Sequence, residues 1–171
     1  MIILPVHQGE PAWHTARAKY YRTASRAPIV KGASLYGTTR NNLMAEIKNG
    51  VVKEIDANTQ ALFDAGHAAE ESARKIVEGY LKAPLLPLTC LTDDEYLLAS
   101  FDGINEELRV GFEHKLANEK LFVQIHTKSL DPFYFWQLEH QIIVGNLDYI
   151  IFMCSAGTRE RAAYLKYRPV P

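Results

Sequence analysis

The sequence predicts an α/β fold in which a small mixed β-sheet is flanked by helices. Three observations lead to this prediction: helical periodicity in most of the first half, two strand-like stretches around an Asp-Gly turn, and a later helix followed by a wholly apolar stretch. Helices, an antiparallel strand pair, a helix and a further strand, in that order, are typical of such a fold. With 171 residues, 47% of them hydrophobic, the chain suits a single domain over residues 1–171.

Two helices are predicted in the first 50 residues. Residues 11–26 carry apolar side chains at helical spacing. Residues 38–49 form the second predicted helix, with Thr38 or Thr39 as its N-cap and a stop at Asn49-Gly50.

A third and longer helix, from about residue 57 to residue 82, holds a carboxylate on its apolar side. Glu70 follows Gly66 by four residues and precedes Ala73 and Val77, so all four share the small, apolar face. Because an isolated buried charge is costly, Glu70 needs a partner, and a metal cation is favoured over a structural Arg or Lys. Gly66 would let the helix backbone approach the sheet. The polar side carries His67, Glu71, Arg74 and Lys75.

Two strands, over residues 96–101 and 108–115, are predicted to form a hairpin around the Asp-Gly turn that begins at Asp102. Side chains alternate along a strand, so Glu113 and Lys115 share the face opposite the apolar one. Two carboxylates and a lysine at strand ends suit binding of a hard divalent cation and activation of a water, the chemistry of phosphodiester hydrolysis. The alternative is a solvated ion pair across the strands.

The last third of the chain is predicted to contain a helix, a buried strand and a short helix. Asp131 is a good N-cap for the first helix, which runs to Val144. Residues 149–154 read as the strand and residues 158–167 as the last helix. One stripe of the first helix carries Tyr134, Gln137 and Gln141. A glutamine in such a place more often bonds a neighbouring loop than takes part in catalysis.

Charge is strongly segregated along the chain, although the net charge is −1. Residues 1–53 carry a balance of +6, residues 54–113 a balance of −9, and the remainder a balance of +2. A basic first third beside an acidic middle suggests a phosphate-binding surface next to a cation site. Solvated helix faces are the alternative explanation.

The two cysteines and the apolar runs exclude several classes of protein. Cys90 and Cys154 lie in apolar runs, which favours reduced core thiols over a disulfide or a metal site, and two thiolates cannot hold an iron–sulfur cluster. No apolar run approaches the roughly 20 residues that span a bilayer. Pro5 and His7 interrupt the start of the chain where a secretion signal would be apolar. A cytoplasmic location is therefore expected.

Several motifs occur in one order over roughly residues 7–168. They are Gln8-Gly9, Trp13, Arg17, Thr23-Ala24-Ser25, Gly66-x-x-x-Glu70 with Ala73-Arg74, Ala99-Ser100-Phe101-Asp102-Gly103, Glu113-His114-Lys115 and Tyr134-x-x-Gln137. Together they resemble the YqaJ-type viral recombinase family, relatives of phage lambda exonuclease in the PD-(D/E)xK nuclease superfamily. The resemblance implies a restriction-endonuclease-like core built on the α/β arrangement above.

The resemblance also implies roles for these residues. Mg²⁺ or Mn²⁺ would be bound by Glu70, Asp102, Glu113 and the carbonyl of His114. Lys115 would orient or deprotonate the attacking water, with help from Gln137. A terminal 5′-phosphate would be held by Arg17, Ser25 and Ser100. Such roles are physically reasonable, because metal ions neutralise an anionic phosphodiester and a guanidinium matches phosphate geometry.

The sequence departs from the family pattern in several places. The segment from Arg17 to Ser25 is one residue longer than in lambda exonuclease, with Lys19 where glycine is common. Phe101 replaces a proline, and Glu139 stands where a second glutamine often occurs. The chain ends where many relatives continue into another helix, so the expected nuclease domain lacks that helix.

The function implied is a Mg²⁺-dependent DNA exonuclease that acts on double-stranded ends in the 5′→3′ direction, as in phage-type recombination. A structure-specific or nicking endonuclease on the same fold is one alternative, and a non-catalytic DNA-end-binding module is another. The resemblance also implies a single-strand annealing protein as partner and a trimeric ring as the homo-oligomer.

Overall fold

The computed structural model describes residues 1–50 and 57–170, with the backbone alone over residues 57–65. It is a mixed α/β structure, as predicted. Its helices are α1 (Pro11–Lys19), α2 (Ala27–Val30), α3 (Arg40–Asn49), α4 (Ala57–Leu81), α5 (Glu119–Thr127) and α6 (Pro132–Gly145), with a short 3₁₀ turn at Ala24–Arg26. Its strands are β1 (Ile2–Leu4), β2 (Thr89–Leu91), β3 (Leu98–Ser100), β4 (Gly103–Asn105), β5 (Val110–Leu116), β6 (Tyr149–Ser155) and β7 (Ala162–Tyr167).

The strands form two sheets. The first has the order β1-β2-β3 and is antiparallel throughout. The second has the order β4-β5-β6-β7, in which β5 and β6 are parallel and the outer pairs antiparallel. The mixed sheet that the sequence predicts is therefore present, and β5, which carries the Glu-x-Lys motif, lies in its interior.

Helices cover both faces of the mixed sheet. Small and branched side chains of α4, such as Ala73 and Val77, pack with Phe112 and Met153 on one side. Leu138 and other residues of α6 belong to the larger core on the other side. Because both faces are covered, β5 is buried from Val110 to His114, polar residues included.

The predicted hairpin differs from the observed one. The segment before Asp102 ends as β3, which pairs with β2 in the first sheet. The chain then crosses to the second sheet, where β4 pairs with β5 and the turn falls at residues 106–109. Arg109, at the end of this turn, has a φ of 52°. Asp102 therefore lies at the seam between the two sheets and not at the tip of a hairpin.

The predicted helix over residues 158–167 is wrong, because Ala162–Tyr167 forms the edge strand β7. Burial alternates along it: Ala163 and Tyr167 are buried, whereas Tyr164 and Lys166 are exposed. That period of two is the strand pattern, and it outweighs the helix-favouring composition.

The first predicted helix is shorter than residues 11–26. It ends at Lys19, because the backbone from Tyr21 to Thr23 extends alongside β3 and the N–H of Leu98 donates to the Arg22 carbonyl at 2.9 Å. The second and the long third helix are confirmed over Arg40–Asn49 and Ala57–Leu81, with Thr39 as the N-cap of α3. The helix after Asp131 is confirmed as well.

Other predictions have mixed outcomes. Cys90 and Cys154 are buried free thiols, as expected. Gly66 does not serve a close approach to the sheet, since a Cβ built there meets no described atom within 4 Å. Within residues 1–50 and 57–170, no helix combines the length and the apolar character that a membrane crossing needs.

Candidate active site

A cleft of about 590 Å³ opens between α1, α4, β5 and α6, and every residue assigned a role from the sequence lies on it. Among the side chains that line it are Arg17, Ser25, Glu70, Ser100, Asp102, Glu113, His114, Lys115 and Gln137. Residues that are up to 120 positions apart in the sequence thus share one concave surface. Such a convergence of charged groups in a cleft is typical of a catalytic or binding site.

Asp102 occupies the seam between the sheets at the bottom of the cleft. It is buried, and its Oδ2 accepts a hydrogen bond of 2.7 Å from the backbone N–H of His114. Burial, together with the nearby carboxylates of Glu113 and Glu70, raises the pKa of Asp102 well above its usual value. The site therefore holds an excess of negative charge that a cation would relieve.

Glu113 is held by three donors although it is only 3% exposed. Its Oε1 accepts from Lys115 Nζ at 2.5 Å and from Gln137 Nε2 at 2.7 Å. Its Oε2 accepts from Gln141 Nε2 at 2.6 Å. The two glutamines of α6, one helical turn apart, thus hold one carboxylate oxygen each and fix the orientation of Glu113.

Lys115 lies beside Glu113 on the same face of β5, as the alternation predicts. Burial disfavours its charge, but the carboxylates of Glu113 and Asp102 outweigh burial and raise the pKa of Lys115 above its usual value. The ammonium is therefore charged at neutral pH and adjoins the acidic group. This is not the solvated ion pair of the alternative interpretation, since Glu113 is buried and the lysine side chain is 29% exposed.

Glu70 reaches the cleft from α4 and has a cationic partner. Arg74 Nη1 lies 3.2 Å from Glu70 Oε1 and also donates to the backbone carbonyl of Asp102 at 2.5 Å. Arg74 was expected on the polar face of the helix, but it is half-buried and ties α4 to the seam. Burial raises the pKa of Glu70, an effect that Arg74 opposes.

The basic end of the cleft is built around Arg17. Its Nη2 donates to Ser25 Oγ at 2.8 Å, and its guanidinium lies 4.5 Å from the centre of the Trp13 ring. Trp13 lines the cleft and donates from Nε1 to Ser100 Oγ at 2.8 Å. Through these contacts Trp13, Arg17, Ser25 and Ser100 form one connected group at this end of the cleft.

Arg17 has no acidic partner in the described part of the chain. Burial and the neighbouring Arg26 lower its pKa to about 10. A guanidinium without an acidic partner, in a cleft and near a second cation, suits an anion. An ion pair between Arg17 and an acid of residues 54–113 is therefore not present among the described residues.

The side chain of His114 turns away from the acidic group. Its Nε2 lies 2.9 Å from Ser155 Oγ, and burial lowers its pKa to about 4. The imidazole of His114 is thus directed away from the acidic group, and the role expected of its carbonyl stays a prediction.

The donor set fits Mg²⁺ or Mn²⁺ in its chemistry, since carboxylate and carbonyl oxygens are the ligands that hard cations prefer. As the side chains stand, however, no three His, Cys, Asp or Glu residues of the described chain gather closely enough to hold a metal ion. Glu113 is occupied by Lys115 and two glutamines, and Glu70 by Arg74. The expected close convergence on one point is therefore not seen among the described side chains, although Glu70, Asp102 and Glu113 face the same cleft.

Gln141 is the main contributor that sequence reasoning did not assign. It is fully buried, and besides Glu113 its Nε2 reaches the carbonyl of Ser100 at 3.3 Å. Its position on one stripe with Tyr134 and Gln137 was the available signal. Glu139, the residue noted as a departure, instead accepts hydrogen bonds from Tyr167 and the Val170 backbone.

One known protein family matches most of the sequence. The family described as the YqaJ-like viral recombinase domain matches residues 12–148. No curated protein sequence matches the chain.

Solved structures share the fold. The alkaline exonuclease LHK-Exo from Laribacter hongkongensis has a TM-score of 0.74 at 20% identity, covering 94% of this chain and 83% of that chain. The same exonuclease in complex with dAMP gives 0.72 at 19% identity, with the same coverage. A phage-related exonuclease from Haemophilus somnus 129PT gives 0.58 at 14% identity, covering 78% of this chain and 66% of that chain. The restriction-endonuclease-like fold class is thereby confirmed.

Proposed function

The chain belongs to the family of YqaJ-like viral recombinase domains, and we propose that it is a metal-dependent deoxyribonuclease that degrades double-stranded DNA from its ends. One observation carries the proposal. The acidic group of Glu70, Asp102 and Glu113, with Lys115, and the basic pocket of Arg17 face the same cleft. A phosphodiesterase that acts on ends needs a hydrolytic centre and a phosphate-binding group at a fixed separation.

The acidic group would hold Mg²⁺ or Mn²⁺ through Glu70, Asp102, Glu113 and the carbonyl of His114. When bound, the cation would neutralise the phosphodiester and lower the pKa of the attacking water. Binding would replace the hydrogen bonds that Glu113 now receives from Lys115 and Gln137.

The other residues would position the substrate and the water. Arg17 and Ser25 would bind the terminal 5′-phosphate, with Ser100 held beside them by Trp13. Lys115, an ammonium at neutral pH, would orient the attacking water rather than take its proton, and Gln137 would assist. Attack on the next phosphorus breaks its bond to the 3′-oxygen. The products are a nucleoside 5′-monophosphate and a strand with a new 5′-phosphate.

The size of the cleft and the relatives support this assignment. A cleft of about 590 Å³ is large enough for a nucleotide. LHK-Exo, which shares the fold, has been solved in complex with dAMP, a nucleoside monophosphate. In this assignment, successive release of 5′-nucleotides proceeds 5′→3′ and leaves a 3′ single strand for an annealing partner.

The proposal is tested with end-labelled linear duplex, with and without a 5′-phosphate, in Mg²⁺ and in EDTA. We expect mononucleotide release only in Mg²⁺, and faster from phosphorylated ends. A Lys115→Ala variant should lose most hydrolysis yet keep DNA binding, since one ammonium is a small part of the phosphate-contacting surface. Covalently closed circles should resist the enzyme.

Each alternative gives a different result in the same assay. Cleavage of closed circles would show an endonuclease instead. Binding of ends without hydrolysis in any divalent cation would show a DNA-end-binding module. Equal rates for wild type and Lys115→Ala would contradict the proposed chemistry.

A further inference from the structure

Tyr36, a residue that the proposed chemistry does not use, stands at the mouth of the same cleft. It is 81% exposed, the largest exposed fraction among the large apolar and aromatic side chains of the described residues. Exposing most of a tyrosine forgoes the stabilisation that burial of its ring would give. Its location next to the basic pocket calls for a ligand with an aromatic or flat apolar face.

A series of aromatic contacts supports Tyr36 from the core. Its ring meets that of Phe133 nearly at right angles, with centroids 5.8 Å apart. Phe133 in turn packs edge-on against Tyr134 at 5.3 Å, and Tyr134 lies 5.3 Å from the buried Phe152. The exposed ring is thus anchored at one side, while most of its surface remains open to the cleft.

The backbone of the loop between α2 and α3 presents Tyr36 outward. Gly32 and Gly37, on either side of it, have φ values of +73° and +69°, which side-chain-bearing residues rarely adopt. Between them the Tyr36 N–H donates to Ser34 Oγ at 3.3 Å. The two positive-φ glycines and this bond therefore shape the loop that carries the exposed Tyr36.

The surroundings of Tyr36 suit a polyanion. Residues 11–45 contain six Lys or Arg and no Asp or Glu. Lys31 and Arg40 flank the loop, and Arg17 lies in the same cleft. Exposed aromatic rings within a cationic groove are the means by which proteins bind unpaired nucleotides, with cations on the backbone and rings on the bases.

We propose that Tyr36 stacks on a nucleobase of the DNA strand whose phosphate enters the cleft, and so holds that nucleotide unpaired near the acidic group. This inference rests on the proposed function, because it assigns the base-binding position of the same site. The base would come from the terminal nucleotide or from its neighbour, since the cleft that Tyr36 borders is large enough for a nucleotide and also holds Arg17. Stacking is tolerant of sequence, so no base preference is expected.

Abasic DNA provides the test, because it removes the proposed partner of Tyr36. Binding of a 5′-phosphorylated duplex is measured by fluorescence anisotropy in EDTA, for wild type, Tyr36→Ala and Tyr36→Trp. The duplex carries either normal bases or a single abasic site at the first, second or third nucleotide. Tyr164→Ala is the matched control, since Tyr164 is 64% exposed on β7 and does not line the cleft.

We expect Tyr36→Ala to bind the intact duplex about tenfold more weakly, within the range of loss for a single stacked base. Tyr36→Trp and Tyr164→Ala should bind like wild type. At one abasic position the wild type should weaken by the same factor, and Tyr36→Ala should then lose nothing further. This non-additivity identifies the base that Tyr36 contacts.

Two results would overturn the stacking. One is an equal loss for Tyr36→Ala on intact and on every abasic duplex, which would indicate a backbone or protein contact. The other is no loss at all. Wild-type protein that neither binds nor cuts the duplex would overturn the proposed function itself, whereas normal wild-type activity with an unaffected Tyr36→Ala would overturn the stacking alone.

Discussion

At the scale of single residues, Glu113 shows how hydrogen bonds orient a buried carboxylate. Three donors converge on it, and the two from α6 come from glutamines, which supply a hydrogen bond without a charge. A lysine or arginine at both places would neutralise the carboxylate and oppose a cation. The amides orient Glu113 and leave its charge available.

Gln141→Leu is expected to lower kcat by about one to two decades with little change in KM. The substitution removes one charge-assisted hydrogen bond to Glu113, which contributes about 1.5–3 kcal/mol. Gln124→Leu is the matched control, because Gln124 is a half-buried glutamine whose Oε1 accepts from the Asp131 backbone, outside the cleft. Steady-state kinetics and denaturant unfolding of both variants separate an effect on catalysis from an effect on stability. Equal losses of stability with equal activities would show that Gln141 is only structural.

Arg17→Ala should slow cleavage of 5′-phosphorylated ends by about one to two decades and leave 5′-hydroxyl ends nearly unchanged. The reason is the loss of one charge-assisted contact to the terminal phosphate. Arg22→Ala is the control, since Arg22 belongs to the same basic segment but stacks on Tyr21 and Tyr96. The rates on the two kinds of end are compared for each variant. A uniform loss on both ends would identify Arg17 as a general backbone contact.

At the scale of elements, close packing at the seam depends on Gly103, which follows Asp102 at the start of β4. A Cβ at this position would lie 2.9 Å from Leu85 Cβ and 3.3 Å from both Phe112 Cβ and Arg74 Cδ. The first of these contacts is shorter than real Cβ atoms tolerate. The absence of a side chain therefore lets β4 approach Leu85 and Arg74 closely.

Gly103→Ala is expected to lower the free energy of unfolding by about 1–3 kcal/mol through overpacking. Gly79→Ala serves as its counterpart, because a Cβ on this α4 glycine meets no described atom within 4 Å. That change should stabilise by up to about 1 kcal/mol, through helix propensity. Urea titrations of both variants test the pair. A Gly103→Ala protein as stable as wild type would show that the seam can relax.

The elements that the sequence predicted well are those whose signals are local. Caps at Thr39 and Asp131 and the period of α4 gave helices that the structure confirms. The short strands β1 and β2 have three residues each, too few for a pattern to be recognised. The helix α5, with its Asn118 cap, carried a readable signal that was overlooked.

The residues that line the cleft were easier to predict from the sequence than the sheets that position them. Motif residues such as Arg17 and Lys115 indicate chemistry whatever strand pairing surrounds them. The assignment of Asp102 to a hairpin turn failed because strand pairing is set by long-range packing, and the chain crosses between sheets there. The contact of Arg74 with the Asp102 carbonyl spans 28 residues and leaves no local trace.

At the scale of the whole molecule, buried ionisable groups make stability depend on pH. Burial lowers the pKa of His140 to about 4, and its Nε2 donates to the Leu98 carbonyl at 3.0 Å. Between about pH 6.5 and 4 the unfolded chain binds a proton at this histidine that the folded chain does not. The contribution of His140 to the free energy of unfolding is therefore fully present above pH 6.5 and is lost as the pH falls toward 4. The raised pKa values of Asp102 and Glu70 act in the opposite direction.

His140→Gln should therefore lose less stability than wild type when the pH is lowered from 6.5 to 4. Both proteins retain the carboxylates that act in the opposite direction, so the difference between their stability profiles with pH is due to His140. The exposed His126 gives the control His126→Gln, which should keep the wild-type dependence. Urea midpoints at several pH values are the measurement. Parallel profiles for wild type and His140→Gln would contradict the assigned cause.

The way in which Glu113 is held determines when the site can form during synthesis of the chain. Its local partner, Lys115, is two residues away, but Gln137 and Gln141 follow it by 24 and 28 residues, and β6, which lies beside β5, follows later still. A growing chain that has just exposed all three carboxylates therefore lacks the two glutamines that orient Glu113. If the protein is the nuclease proposed here, it is synthesised in an inactive state, and hydrolysis begins only after the chain has been made through α6 and β6.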